Sequence, residues 1–189
     1  MGSTVVEAAG AHELSPPPAS LSFVAALAVR DVAAEAIAVA QVEGSEIALK
    51  WPNDVLLGGG KLSGILLEMV RGHIVVGIGV NLARAPQLSD RKTAALADVI
   101  EPPALEDFAA SLVRHFANRL DRWRAAGLGP TLAQFLGQSI HAQGSPVTVH
   151  DTDGSQLSGS FAGLDESDGA LRLRLADGSE RVIRAGDIA

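Results

Sequence analysis

Lys61-Leu62-Ser63-Gly64-Ile65-Leu66-Leu67-Glu68-Met69-Val70-Arg71-Gly72-His73-Ile74-Val75-Val76-Gly77-Ile78-Gly79-Val80-Asn81 holds two aliphatic, largely alternating runs around Arg71-Gly72. Such a pattern predicts an antiparallel hairpin with a two-residue turn. Residues equidistant from the turn then oppose each other. Ile65 faces Ile78, Leu67 faces Val76 and Met69 faces Ile74, an aliphatic face that belongs in a core. The other face pairs Gly64 with Gly79, Leu66 with Gly77, and Leu62 with Asn81.

Glycine inside a strand gives up packing and costs backbone entropy, so three together need a reason. One reason is a helix pressed against the sheet. The other is a ligand lying on bare backbone. Clustering beside Asn81 and two lysines favours the ligand. Lys61 raises a difficulty, because strict alternation turns it to the aliphatic face, where an unpaired ammonium is costly to bury. Either a bulge near Leu62-Ser63 breaks the pleat, or Lys61 still belongs to the loop that begins at Gly58.

Just upstream, Lys50-Trp51-Pro52-Asn53-Asp54 ends a strand in a proline turn. Asn53 and Asp54 suit local Asx turns, which accounts for Asn53 at least as well as a ligand contact does. Asp54 is the better functional candidate, since two nearby lysines would orient it. Trp51 reads as a packing residue. Two nucleotide motifs fail nearby. Gly58-Gly59-Gly60-Lys61 has Leu62 where a phosphate loop needs Ser or Thr, and Val55 where it needs its first glycine. Gly77-Ile78-Gly79 lacks the last glycine of a dinucleotide fingerprint, and no helix opens there.

Further out, strands are expected at 46–50, 55–57, 62–70 and 73–82, with another at 2–8. Ser15-Pro16-Pro17-Pro18 leads into an alanine-rich helix over 21–40, apolar on nearly all sides and therefore buried, with Ser20 as its cap and Gly44-Ser45 as its stop. Leu105, Phe108, Leu112, Phe116, Leu120 and Trp123 form one stripe of a helix over 104–126. Gly127 and Gly129-Pro130 end it, and a short helix covers 131–138. Arg114, Arg119, Arg122 and Arg124 read as its solvated face. From Pro146 short strands alternate with Asp153-Gly154, Asp168-Gly169 and Asp177-Gly178 turns, as in a small β-barrel or sandwich, so a boundary falls near Gly144.

The chain has 189 residues, no cysteine and a formal net charge of −7. Disulfides and thiolate–metal sites are excluded, and the acidic balance argues against non-specific nucleic-acid binding. The five histidines, His12, His73, His115, His141 and His150, show no metal-ligand spacing, so no metal site is expected. No apolar run is long enough for a membrane span. Without a signal-like start, the cytoplasm is the expected location.

Lys50-Trp51-Pro52-Asn53-Asp54, Lys61 to Glu68 and Val76 to Leu82, in this order, resemble the bacterial biotin–protein ligase family. The resemblance implies an α+β fold over 1–143, a mixed or antiparallel sheet packed with helices as in class II aminoacyl-tRNA synthetases. Residues 144–189 would form a small SH3-like β-barrel. It also implies an enzyme that makes biotinyl-5′-adenylate from biotin and Mg-ATP, then transfers biotin to a lysine of a biotin carboxyl carrier domain.

By motif, Lys61 would contact the biotin carboxyl and the phosphate, Asp54 would orient or deprotonate the incoming amine, and Lys50 would add positive potential. Gly64 and Ile65 would present backbone to the biotin rings. Asn81, with the strand through Gly77 and Gly79, would lie along the adenylate, and Asn53 joins this binding set. The family's Gly-Arg-Gly-Arg-type loop would lie upstream of the first strand, yet no lysine or arginine precedes Arg30. An N-terminally truncated member is therefore expected, without that loop and without a winged-helix DNA-binding domain. The resemblance leaves room for a homodimer. It also leaves two other readings, a non-catalytic biotin- or adenylate-binding homologue and a lipoate or octanoate ligase. Lys50–Asp54 favours biotin over the last.

Overall fold

A computed structural model describes residues 2–7, 16–89, 91–150 and 155–188. The predicted hairpin is its organising element. Strands β4 (Gly60–Val70) and β5 (His73–Val80) pair in the expected register, with Gly64 opposite Gly79, Ile65 opposite Ile78 and Leu66 opposite Gly77. Arg71 (φ 51°) and Gly72 (φ 80°) both take the left-handed conformation that a tight hairpin turn needs. Strand β1 (Gly2–Glu7) pairs with β5, while β3 (Asp54–Leu57) and β2 (Ile47–Lys50) extend the other side. The antiparallel sheet runs β1-β5-β4-β3-β2. The outer edge of β2 is covered, because Leu49 N–H donates to the Gln138 carbonyl and Ile140 N–H donates to that of Leu49.

Ile65, Ile74, Val76 and Ile78 are buried, each burial contributing about 1.5–3 kcal/mol. Met69 departs from expectation: at the far end of the hairpin, beside the exposed Arg71-Gly72 turn, it is 69% exposed. Helix α1 (Leu21–Val39) lies against this sheet and is buried continuously from Leu21 to Val29. Its alanines allow close packing on several sides at once.

Both ends of α1 differ from expectation. Ser20 is helical and caps nothing. Its hydroxyl donates to the Pro17 carbonyl (2.6 Å) and accepts the Trp123 indole N–H (2.9 Å). The helix stops before Gly44, with Gln41 left-handed (φ 56°), its N–H on the Ala38 carbonyl and Val42 N–H on that of Ile37. This is the Schellman arrangement, with glutamine where glycine is usual.

Helix α2 (Leu105–Ala126) packs Phe108, Phe116 and Trp123 inward, though Leu105 in its first turn is 61% exposed. Helix α3 (Leu128–Leu136) begins directly after Gly127, earlier than predicted. Pro130 sits in its first turn, where a missing N–H costs nothing. Arg119 is not on a solvated face: its guanidinium grips Asp31 of α1 at 2.6–2.7 Å, and both side chains are less than one-fifth exposed.

Residues from Pro146 form a second antiparallel sheet, ordered β10-β6-β7-β8-β9. Its strands are β6 (Pro146–His150), β7 (Gln156–Leu164), β8 (Leu171–Arg174), β9 (Glu180–Ile183) and β10 (Asp187–Ile188). The turns at Asp168-Gly169 and Asp177-Gly178 are present, with both glycines left-handed. The Asp153-Gly154 turn lies outside the described residues. The two sheets share a contact built on Gly169, whose carbonyl accepts the Trp51 indole N–H (3.1 Å). A side chain at Gly169 would run into the Phe23 ring of α1.

Candidate active site

The sheet face opposite α1 carries Lys50, Asp54, Lys61, Gly64, Gly77 and Gly79 of the predicted site residues, whereas Ile65 turns into the core and Asn53 and Asn81 lie just outside the strands. Cross-strand partners point the same way. One row across four strands therefore reads Lys50, Asp54, Gly64 and Gly79. A β-bulge brings Lys61 to this row. Leu57 pairs with Gly60 and Leu56 with Lys61, but Val55 pairs with Ser63 and Asp54 with Gly64, so Leu62 is the extra residue. Asp54 and Leu56 are two apart on β3 and share a face, so Gly64 and Lys61 share it too, although they are three apart. The bulge sends Leu62 into the core, fully buried, and frees Lys61 from it.

The Lys61 ammonium sits 2.5 Å from Asp54 Oδ1 as a charge contact. Asp54 is only 5% exposed, so this carboxylate is held deep with its counter-ion. Gly64 makes the pairing possible. A Cβ there would stand 3.1 Å from Lys61 Cε and 3.3 Å from its Nζ. Gly77 and Gly79 are different, since a Cβ at either would meet only ordinary contacts at 3.6 Å or more. No described helix presses on this side, so the glycines leave it open rather than admit a neighbour.

Asn53 and Asn81 both bind backbone. Asn53 Nδ2 donates to the Ile65 carbonyl (2.7 Å), and Ile65 N–H donates to the Asn53 carbonyl (3.0 Å). Both peptide groups of Ile65 are thus engaged, and its side chain is in the core. Asn81 Nδ2 donates to the carbonyls of Lys61 (3.2 Å) and Ala94 (3.1 Å), tying the start of β4 to the loop after β5. That loop adds a parallel bridge through Lys61 N–H to the Lys92 carbonyl and Ala94 N–H to that of Lys61.

The glycine run that failed as a phosphate loop now has a structural explanation. Gly58 (φ 53°) and Gly59 (φ 75°) form the β3–β4 turn. A Cβ on Gly60 would come within 2.9 Å of the Thr93 backbone, so only glycine lets the loop approach.

Sequence reading missed the other wall. Lys50 Nζ lies 3.4 Å from Asp187 Oδ1 in the second sheet, and Arg91 reaches Asp187 Oδ2 at 3.8 Å. Lys50, Asp54, Lys61, Arg91, Lys92 and Asp187 all line one cleft of about 660 Å³ between the sheets. Lys92 donates to the Gly58 carbonyl (2.7 Å) at its rim. Nothing in the spacing of Arg91 or Asp187 marks them, because they join the site only through tertiary contact. Half-buried His141 lies near Lys50, and burial first, then the Lys50 charge, lowers its pKa below the usual histidine value. Among the described residues, no three His, Asp or Glu side chains converge as a metal site.

The sequence matches the Biotin/lipoate A/B protein ligase family over residues 11–82 and the Biotin protein ligase C terminal domain over residues 143–189. A biotin–[acetyl-CoA-carboxylase] ligase of Mycobacterium tuberculosis is 37% identical over 169 residues, covering 89% of this chain and 61% of that protein. The corresponding ligase of Paracoccus denitrificans is 36% identical over 184 residues, covering 90% of this chain and 72% of its own. The fold matches a biotin protein ligase from Aquifex aeolicus, in complex with biotin and ATP, with a TM-score of 0.78 at 18% identity. That match covers 99% of this chain and 75% of the other. The chain spans less than two thirds of the mycobacterial relative and nearly three quarters of the Paracoccus one, and it belongs to the biotin–[acetyl-CoA-carboxylase] ligase family.

Proposed function

We propose that this chain carries the core of an ATP-dependent biotin–protein ligase, which forms biotinyl-5′-adenylate and passes biotin to a lysine of a biotin carboxyl carrier domain in the cytoplasm. The observation that carries this reading is the Leu62 bulge, which turns Lys61 onto the glycine-paved face beside Asp54. An ammonium beside an open backbone surface suits a carboxylate that attacks a phosphate, because negative charge grows there in the transition state.

Lys61 stabilises that charge, and Lys50 adds to the field along the same row. Asp54, with Lys61 at its oxygen, orients the incoming lysine amine or accepts its proton. Gly64, Gly77 and Gly79 leave backbone open to the biotin rings and the adenylate. Asn53 holds the Ile65 segment of that wall, and Asn81 fixes the loop beside the adenylate. Magnesium, supplied with ATP, would screen the phosphate charge and would take most of its ligands from the phosphates and water, since Asp54 already faces the Lys61 cation. Residues 1–143 form the ligase unit and 144–189 an SH3-like unit that closes one side of the cleft.

The test is incubation of the chain with biotin, ATP, magnesium and a carrier domain, read as the carrier's mass. One added biotinyl group supports the reading. A mass shift only with lipoate or octanoate points to those acyl ligases instead. No shift, with biotin still bound by calorimetry, points to a binding protein.

A further inference from the structure

We propose that Asp187 is an internal stand-in for an anion. It holds Lys50 and Arg91 where a condensed phosphate chain binds, so the second sheet sets how tightly that chain is held. Naming the anion a phosphate chain rests on the ligase reading above.

The charge distribution comes first. The chain has only 15 lysines and arginines and a net charge of −7, yet four of those cations (Lys50, Lys61, Arg91, Lys92) line a single cleft. Among the described residues two carboxylates face them, and the two are held differently. Asp54 is buried, with Lys61 at 2.5 Å. The Asp187 side chain is 47% exposed, and its oxygens stand 3.4 and 3.8 Å from the two cations. Both distances exceed the roughly 2.7–2.9 Å of a charge-assisted hydrogen bond. The inner pair is fixed, whereas the outer bridge is loose and open to exchange.

The mountings of the three groups differ in the same sense. Lys50 ends a strand paired on one side with β3 and bonded at Leu49 to residues 138–140. Arg91 begins the segment whose next residues bridge Lys61 and are tied down by Asn81. Asp187 opens a two-residue strand at the edge of the sheet, where among the described strands it pairs with β6 alone. Two cations on well-tied elements, bridged by one carboxylate on a lightly tied one, have the arrangement of a two-pronged anion site holding a substitute. A pyrophosphate group carries more charge than one carboxylate and competes for the same two cations. Asp187 therefore opposes its binding and assists its departure.

Calorimetry of inorganic pyrophosphate, ATP and AMP against the full chain tests this, using Asp187→Asn, Lys50→Met and the double variant. Asp187→Asn is expected to bind pyrophosphate about 3–10-fold more tightly and Lys50→Met more weakly by a similar factor, as for exchange of a partly exposed charge contact. AMP affinity should move less than about twofold in either variant, since it lacks the condensed chain. The double variant should lose the gain. A structural role for Asp187 would weaken binding of pyrophosphate and ATP alike or leave both unchanged, and either result overturns the proposal. So does a wild-type chain that binds no pyrophosphate and no ATP, or an AMP shift as large as that of pyrophosphate. A shift seen with ATP alone assigns the cleft to the nucleotide-borne chain, one with pyrophosphate to the released product, and either supports it. Failure of the ligase reading would appear in the carrier's mass, which these titrations do not use.

Discussion

Lys61 decides the site, and its direction is a matter of one extra residue. Without Leu62 in the bulge, the pleat would turn the ammonium toward α1 and leave Asp54 buried without a counter-ion, a cost of several kcal/mol. The sequence exposed this conflict, since a lysine in phase with Ile65 cannot stay in a core, and it narrowed the answer to a bulge or a loop. It could not say which residue bulges, because Leu62 and Ser63 both tolerate burial. Replacing Lys61 with alanine should slow formation of the biotinyl adenylate by about 10²–10³-fold, the range for losing one stabiliser of developing charge, and weaken its retention. Arg172→Ala, in the second sheet, should change either quantity by less than about twofold, since Arg172 pairs with Glu180 at the surface. Equal effects of the two substitutions would take Lys61 out of the site.

At the scale of elements, the β4–β5 register was legible from Ser63–Val80 to Val70–His73 because turn length and alternation fix it together. The expected Leu62–Asn81 pair on the glycine face gives way to the bulge that buries Leu62. The helix ends were not legible. Ser20 fits a cap by composition, but its hydroxyl is drawn to Pro17 and Trp123, and Trp123 lies far along the chain. Gln41 ends α1 through its backbone, a feature that side-chain type does not reveal. Arg71 offers a test of the hairpin itself. It holds φ 51° in a turn that favours asparagine there, and its side chain is exposed. Arg71→Asn should raise stability by about 0.5–1 kcal/mol, measured by denaturant unfolding. A loss of stability would mean that the turn is not of this type.

For the whole molecule, the new element is the meeting of the two sheets. Phe23, Trp51 and Gly169 join them, and the cleft beyond that contact gathers cations from β2, β4 and the loop after β5. Sequence reading found Lys50 and Lys61 but had no route to Asp187, which is distant in sequence and carries no motif. His141 reports on this junction. Its folded pKa lies below the ordinary histidine value of about 6.5, through burial and then the Lys50 charge. The unfolded chain therefore takes up this proton first as pH falls. The stability linked to neutral His141 is fully present above about 6.5 and is lost as pH drops from there through the lower folded value. Thermal unfolding should thus show a weaker pH dependence in His141→Gln than in the wild type across that window. Parallel curves would mean that His141 does not titrate differently on folding.

The most direct test of the central claim, that the bulge-placed Lys61 serves biotin transfer, is the mass of a biotin carboxyl carrier domain after incubation with the chain, biotin, ATP and magnesium. The expected result is one biotinyl group on one carrier lysine with the wild-type chain, and almost none with Lys61→Ala. A carrier left unmodified by the wild-type chain, or modified equally well by both, would contradict it.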